Sequence, residues 1–277
     1  MVNFPPNKRR ILQEIEALLM GKKELALKDA DAEHSPQKRT TLGSVSNSQF
    51  DTDILTEHNR LRKEEAITET ASYMFKMAHH EGLAEMAQTV SNTCIFEHST
   101  GRSHPDFSWI GENLYVTNST SATVESVVQS WYNEKANFSY THNNCSDVCG
   151  HYTQVVWADS KYLGCGIKFC SSVFIPSSSK TMSNAHMVTC HYGPGGNYNN
   201  KLPYEVGSTT CEECPNNCTD TALCETDFEI QVCEDQYSNC ADFSAYCSHP
   251  TIIEGCPVAC NLCSKKKKRG INNGSRK

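Results

Sequence analysis

Sixteen cysteines in a chain of 277 residues, ten of them between Cys211 and Cys263, constrain this sequence more than any other feature. The number is even, and the segment holding most of them has too few apolar residues to fold by burial alone, so disulfides are the expected staple. Zinc is the competing use of thiols. Cys211-x-x-Cys214 and Cys260-x-x-Cys263 have finger-like spacing, but no paired histidines follow at ligand distance and the other cysteines are irregularly spaced. Sequons at Asn118, Asn137, Asn144, Asn217 and Asn273 agree with an oxidising compartment, and together these features point to a secreted, extracellular glycoprotein. No signal peptide is visible: the one candidate apolar run, Ile11 to Met20, is interrupted by Gln13, Glu14 and Glu16. No run is long and apolar enough to span a bilayer.

Charge is unevenly placed within the net value of −7. Cys211 to Cys263 carries ten acidic residues and no lysine or arginine, whereas Lys265-Lys266-Lys267-Lys268-Arg269 opens a tail without acids. Such a tail is a candidate contact for anionic glycans or lipid headgroups, or a solvated end. A nuclear signal does not suit a disulfide-rich chain, and nucleic acid is not an expected partner.

Along the chain, residues 1–50 read as a partly disordered extension, with a mostly polar amphipathic helix over Arg9 to Lys28. A first core helix begins near Asp51, where Ile54, Leu55, His58, Leu61 and Arg62 share neighbouring positions on one face. A second is expected over Glu69 to Val90, and a third over Thr123 to Lys135. In the third, Val124, Val127, Val128 and Trp131 form a stripe that Glu134 continues, so its carboxylate points inwards and needs a donor or a cation. Three strands are expected: His151 to Trp157, Tyr162 to Cys170 and His186 to Tyr192. Alternation in the first places His151, Thr153, Val155 and Trp157 on one face, an imidazole beside a large apolar ring. In the second, Cys165 and Cys170 fall on opposite faces and cannot bond to each other. Asn199 to Thr210 reads as a linker, and the mixture of helices and strands argues α+β for residues 51–200.

Four stretches, in order, carry a resemblance: His58-Asn59-x-x-Arg62, Gly111-Glu112-Asn113-Leu114, Gly150-His151-Tyr152-Thr153-Gln154-Val155-Val156-Trp157, and Val188-Thr189-Cys190-His191-Tyr192-Gly193-Pro194-Gly195-Gly196-Asn197. The chain resembles the CAP superfamily of cysteine-rich secretory proteins, antigen 5 and pathogenesis-related 1 proteins. The resemblance implies an α-β-α sandwich over 51–200 and disulfides Cys94 to Cys170, Cys145 to Cys149 and Cys165 to Cys190. Beyond it, residues 201–232 are similar to a linker and cysteine-rich hinge, with implied pairs Cys211 to Cys218 and Cys214 to Cys224. Residues 233–263 are similar to a small helical ShK-like module, with implied pairs Cys233 to Cys263, Cys240 to Cys256 and Cys247 to Cys260; residues 264–277 form the basic tail. One departure stands out. The family usually has a Trp-Asp pair ahead of Leu-Ala in the second helix, and here His79-His80 precedes Leu83-Ala84.

The resemblance brings His98, Glu112, Glu134 and His151 into one cleft, a tetrad that could hold a divalent ion such as zinc through His98 and His151, or form a structural network. No cofactor is required by this reading, and no catalytic residue is assigned. All cysteines are expected to be paired, neither Gly-x-Ser-x-Gly nor His-Glu-x-x-His occurs, and Ser99 beside His98 is a single weak nucleophile, so a metal-dependent or serine-type peptidase is the lesser alternative. Extracellular binding comes first, to a membrane protein such as an ion channel or receptor. ShK-like toxins plug potassium channels with a lysine and an aromatic residue between their third and fourth cysteines, but Ser248 to Gly255 holds neither, so any channel contact uses an acidic or apolar surface. Sterol or lipid carriage is a further reading that the family alone supplies.

Overall fold

The computed structural model describes residues 40–219 and 222–226. The expected N-terminal helix, the ShK-like module with its three disulfides, the basic tail and Asn273 lie outside the described residues. Helices are α1 (Asn47–Thr68), α2 (Glu81–Asn92), α3 (Val124–Tyr132), continued by a 3-10 turn over Asn133–Asn137, and α4 (Gly150–Val155). The strands are β1 (Ala78–His79), β2 (Gly111–Thr117), β3 (Phe138–Ser139), β4 (Asn144–Cys145), β5 (Tyr162–Ile175), β6 (Lys180–Gly193), β7 (Cys218–Thr219) and β8 (Leu223–Cys224). Four of them form the central sheet in the order β1-β5-β6-β2, with β1 parallel to β5 and the other pairs antiparallel.

The period of two along β5 and β6 decides what each face meets. On one face, Gly164 and Gly166 bring α2 onto the strand backbone: a Cβ at Gly164 would lie 2.1 Å from the Ala84 nitrogen. Ser91 of α2 donates to the Gly166 carbonyl (3.0 Å) and shares a hydroxyl–hydroxyl hydrogen bond with Thr189 (2.9 Å), the residue paired with Gly166. Cys170 shares this face and bonds to Cys94, two residues after α2. Cys165 is on the opposite face, cross-strand to Cys190, and bonds to it. That opposite face is covered from α1, where His58 meets Tyr192 of β6. The result is the expected α-β-α sandwich, with one disulfide on each side of β5.

Two expected elements differ. Helix α2 begins at Glu81 rather than Glu69, because residues 70–80 spend their backbone groups outside the segment, on the backbone of Ala158, Lys161, Leu163, Glu205 and Cys224 and on two side chains of α1. Asn59 accepts from the Met77 nitrogen (2.7 Å) and donates to the Met77 carbonyl (2.9 Å), and Arg62 donates twice to the Phe75 carbonyl. These bonds replace the i to i−4 ladder of a helix.

The stretch from His151 to Trp157 is a short helix, not a strand. Its neighbours terminate it at both ends. Glu134 accepts from the backbone nitrogens of His151 (3.0 Å) and Tyr152 (3.4 Å), two of the unpaired donors at the helix start. Arg62, fully buried, donates to the carbonyls of Val155 (2.9 Å) and Trp157 (2.8 Å) at the other end, and to those of Ala158 and Ser160 beyond. All residues from Tyr152 to Trp157 are buried, so an alternating surface never existed to be seen.

The remaining elements lie close to their expected places. Helix α3 is capped by Thr123, which exchanges hydrogen bonds with Ser126, and passes into the 3-10 turn that carries Glu134. Disulfides Cys145–Cys149, Cys211–Cys218 and Cys214–Cys224 are formed, so the thiols of Cys211 and Cys214 are used in bridges rather than on zinc. The hinge lies against the 70–77 segment: Cys224 donates to the Met74 carbonyl (2.8 Å), Lys76 donates to the Cys224 carbonyl (2.8 Å), and Thr226 Oγ1 bonds the Lys76 carbonyl (2.7 Å). Asn118 and Asn144 are exposed, while Asn137 is half-buried and donates to the Val148 carbonyl (2.9 Å).

Candidate functional site

Successive residues of β2 point to opposite faces, and this separates Glu112 from Asn113. The Glu112 carboxylate is completely buried and receives five donors: His98 Nδ1 (2.7 Å), the Ser99 nitrogen (2.9 Å), Ser99 Oγ (2.5 Å), Arg102 Nη1 (3.1 Å) and His191 Nε2 (2.9 Å). Burial alone would raise its pKa. The hydrogen bonds from His191, His98 and Ser99, with the Arg102 charge beside it, overcome that and hold it well below the usual carboxylate range. An ionised acceptor fixes the tautomers: His98 carries its proton on Nδ1 and His191 on Nε2. His191 Nδ1 is then a buried lone pair, and it has no partner.

The second acid-imidazole pair repeats the motif. Glu134 Oε1 accepts from His151 Nδ1 at 2.7 Å while Oε2 takes the helix-start nitrogens, so one carboxylate orients both the ring and the helix. Trp131 stacks on the ring at 6.4 Å and 17°. That indole, one helix away, is the apolar neighbour of His151, whereas Trp157 sits against Tyr198. Asn113, turned away from Glu112, donates to the His151 carbonyl (3.1 Å) and ties the two pairs through the backbone of β2.

Each imidazole has its Nδ1 held by a carboxylate, which leaves Nε2 as the ring nitrogen that a metal could take, the arrangement that orients histidine ligands in metal sites. His98 is the more open, with 59% of its side chain exposed against 24% for His151. The four residues do not, however, bring three ligand atoms within 4.8 Å of one another; among the described residues such groups occur at His80, His104 and Asp106 and at the disulfide-bonded Cys211, Cys214 and Cys224. Imidazole nitrogen and carboxylate oxygen are donor types that suit a divalent ion. A cleft of about 360 Å³ runs past His98, Glu112 and Arg102, with Trp109, Trp157 and Tyr198 in its wall. Ser99 donates its hydroxyl to Glu112 rather than to an imidazole, unlike a serine paired with a histidine base.

Comparison with known proteins places this geometry. The model of the cysteine-rich secretory protein family, CAP, matches residues 55–192, and an ShK domain-like model matches residues 232–263. Human cysteine-rich secretory protein 2 is 36% identical over 224 residues, which cover 79% of this chain and 85% of that protein. The chain belongs to the CAP family. Among CAP relatives, the cysteine-rich venom protein helothermine of Heloderma horridum horridum is 32% identical over 87% of this chain and 95% of its own length. Mouse glioma pathogenesis-related protein 1 is 35% identical, and the match spans 64% of each chain. The solved structure of Na-ASP-1 is similar in fold, with a TM-score of 0.52 and 27% identity over 69% of this chain and 50% of that one.

Seen as a CAP domain, the four signatures divide their labour. His58 and Arg62 are structural. Asn113 donates to Tyr192 Oη (3.1 Å), Tyr192 donates to His58 Nε2 (2.9 Å), and His58 Nδ1 donates to the Ile54 carbonyl (2.7 Å), a directed chain that leaves no buried atom of His58 unpaired. Burial pushes the His58 pKa down to about 4. His191 and Arg102 are the residues that sequence reasoning did not assign to the site. His191 lies inside the last signature, and the period of β6 puts it on the face of Thr189, cross-strand from Glu112, which is the one signal that could have found it. Nothing local marks Arg102.

Proposed function

We propose that this CAP protein is secreted and acts by extracellular binding, with a membrane protein such as an ion channel or receptor as its partner. The observation that carries the reading is the joining of a CAP domain to an ShK-like segment in one chain whose described cysteines are all paired. Helothermine, a cysteine-rich venom protein, and the human cysteine-rich secretory proteins 2 and 3 match this chain over most of their lengths. The Cys211 to Cys263 sequence is acidic and free of lysine and arginine, a charge unlike that of a basic pore-plugging toxin.

The test is a comparison of the full chain, purified from an oxidising host, with a chain ending at residue 228, which keeps the docked hinge. Binding to target-cell membranes and any change in channel current should be lost on truncation. Full retention by the shortened chain would refute the role of the C-terminal region.

A second reading, divalent-ion binding at the cleft, is favoured by the two ligand-ready imidazoles held by Glu112 and Glu134. Replacing His98 and His151 together with alanine should remove zinc bound at this site without unfolding the domain. An unchanged zinc content in the double variant would sink that reading.

A further inference from the structure

Residues outside the cleft form a second cluster of ligands where the chain departs from its family, at the start of α2. His80 is the N-cap of that helix: its Nδ1 accepts from the Leu83 nitrogen at 3.2 Å, which puts the ring proton on Nε2, and Nε2 faces Asp106 Oδ2 at 3.2 Å. His104 Nδ1 lies 3.6 Å from the same carboxylate oxygen and accepts a long hydrogen bond from the Asp106 nitrogen at 3.3 Å. The two imidazoles meet edge to face with centroids 5.0 Å apart, and Phe107 packs on both. Gly82 is what lets them meet. A Cβ there would lie 2.4 Å from His104 Nε2, so any side chain at this position would push the ring away.

We infer that His80, His104 and Asp106 form a binding site for a divalent transition-metal ion of the zinc type, distinct from the CAP cleft. Ligand atoms about 2.0–2.1 Å from a tetrahedral ion stand roughly 3.3 Å from each other. The separations of 3.2 and 3.6 Å to Asp106 Oδ2 bracket that edge, and the three ligand atoms lie within 4.8 Å of one another. Two neutral imidazoles and one carboxylate leave a fourth position for water. His104 spends its Nδ1 lone pair on the long bond from the Asp106 nitrogen, which coordination breaks. His80 must exchange tautomers: coordination through Nε2 moves its proton to Nδ1, which then gives up the bond from the Leu83 nitrogen. The positive end of α2 also faces the ion, with only Asp106 among the ligands to offset it. The site therefore binds weakly enough to be reversible, and binding is coupled to the first turn of α2.

The experiment titrates zinc alone into the full chain after chelator treatment, in a background carrying His98→Ala and His151→Ala so that the cleft does not contribute. One equivalent should bind, and the backbone amide signal of Leu83 should move on saturation. Asp106→Asn and His104→Gln should each weaken binding at least about tenfold. Gly82→Ala should do the same while leaving every ligand in place, and His79→Ala should have no effect. Circular dichroism on each variant confirms that it is folded. Absence of a zinc equivalent in the background protein, equal affinity in folded Asp106→Asn and Gly82→Ala variants, or a Leu83 amide indifferent to zinc would overturn the assignment.

Discussion

Glu134 and Arg62 hold the two ends of helix α4, the carboxylate at its first nitrogens and the guanidinium at its last carbonyls. The helix has six residues, far short of what is stable alone, so these two charges supply the terminal hydrogen bonds that a longer helix would find in its own neighbours. Because His151 is the second residue of α4 and Glu134 also bonds its ring, the clamp fixes the candidate site as well as the fold.

Arg62 should be the most sensitive single position in the domain. Arg62→Met removes a buried cation but takes the guanidinium donors from the carbonyls of Phe75 and Val155, and leaves the Trp157 carbonyl with the Ser160 nitrogen alone, so a loss of about 3–5 kcal/mol is expected. Urea denaturation measures it; a loss under about 1 kcal/mol would show that water replaces the guanidinium.

Glu134→Ala and Glu134→Gln should separate two roles. The amide can still accept from the helix-start nitrogens but does not match the charged acceptor for His151 Nδ1, so Gln should cost less stability than Ala, by about 1 kcal/mol. Both should broaden or shift the His151 ring signals in NMR spectra. Equal stability of the two variants would deny the capping role.

Acidification should destabilise the protein in a window set by His58 and then by Glu112. The folded His58 pKa, about 4, is below its usual value, so the unfolded chain takes up a proton first. Its contribution is complete above about pH 6.5, declines as pH falls to about 4 and is constant below; two and a half units correspond to about 3 kcal/mol. Glu112, whose pKa is depressed, adds stability that is present above the ordinary carboxylate pKa and is lost as pH falls towards its folded value. Stability curves for wild type and His58→Gln, measured from pH 8 to 4, check this: the variant should lack most of the slope between 6.5 and 4.

The disulfides should differ in worth according to the chain they close. Cys94–Cys170 spans 76 residues and Cys145–Cys149 spans 4, and loop-closure entropy makes the first more stabilising by about 2–3 kcal/mol. Alanine at both cysteines of each pair, followed by chemical denaturation, tests the order.

Much of this molecule could be read before its fold was known, but unevenly. Cysteine number and parity dictated bridges, and the positions of Cys165 and Cys170 on one strand already forbade their pairing, because side-chain direction in a strand is a local property. The stripe Val124, Val127, Val128 and Trp131 likewise revealed α3 and the inward turn of Glu134, since helical period is local too. The stretch from His151 to Trp157 misled for the opposite reason. Its alternation matched a strand, while its helical state comes from Glu134 and Arg62, which lie 17 and 93 residues from their partners at its two ends. The segment 70–80 is similar, held by Asn59, Arg62 and the backbone of distant segments rather than by its own propensity. Tertiary structure alone decided that His191 and Arg102 join His98 on Glu112, and that His80 meets His104 beside Gly82. The sequence determined which groups are present and which way each local element turns them. Only folding could determine which buried charges meet, because an ion or a carboxylate finds its partners across the chain and a pattern of neighbours in sequence carries no record of them.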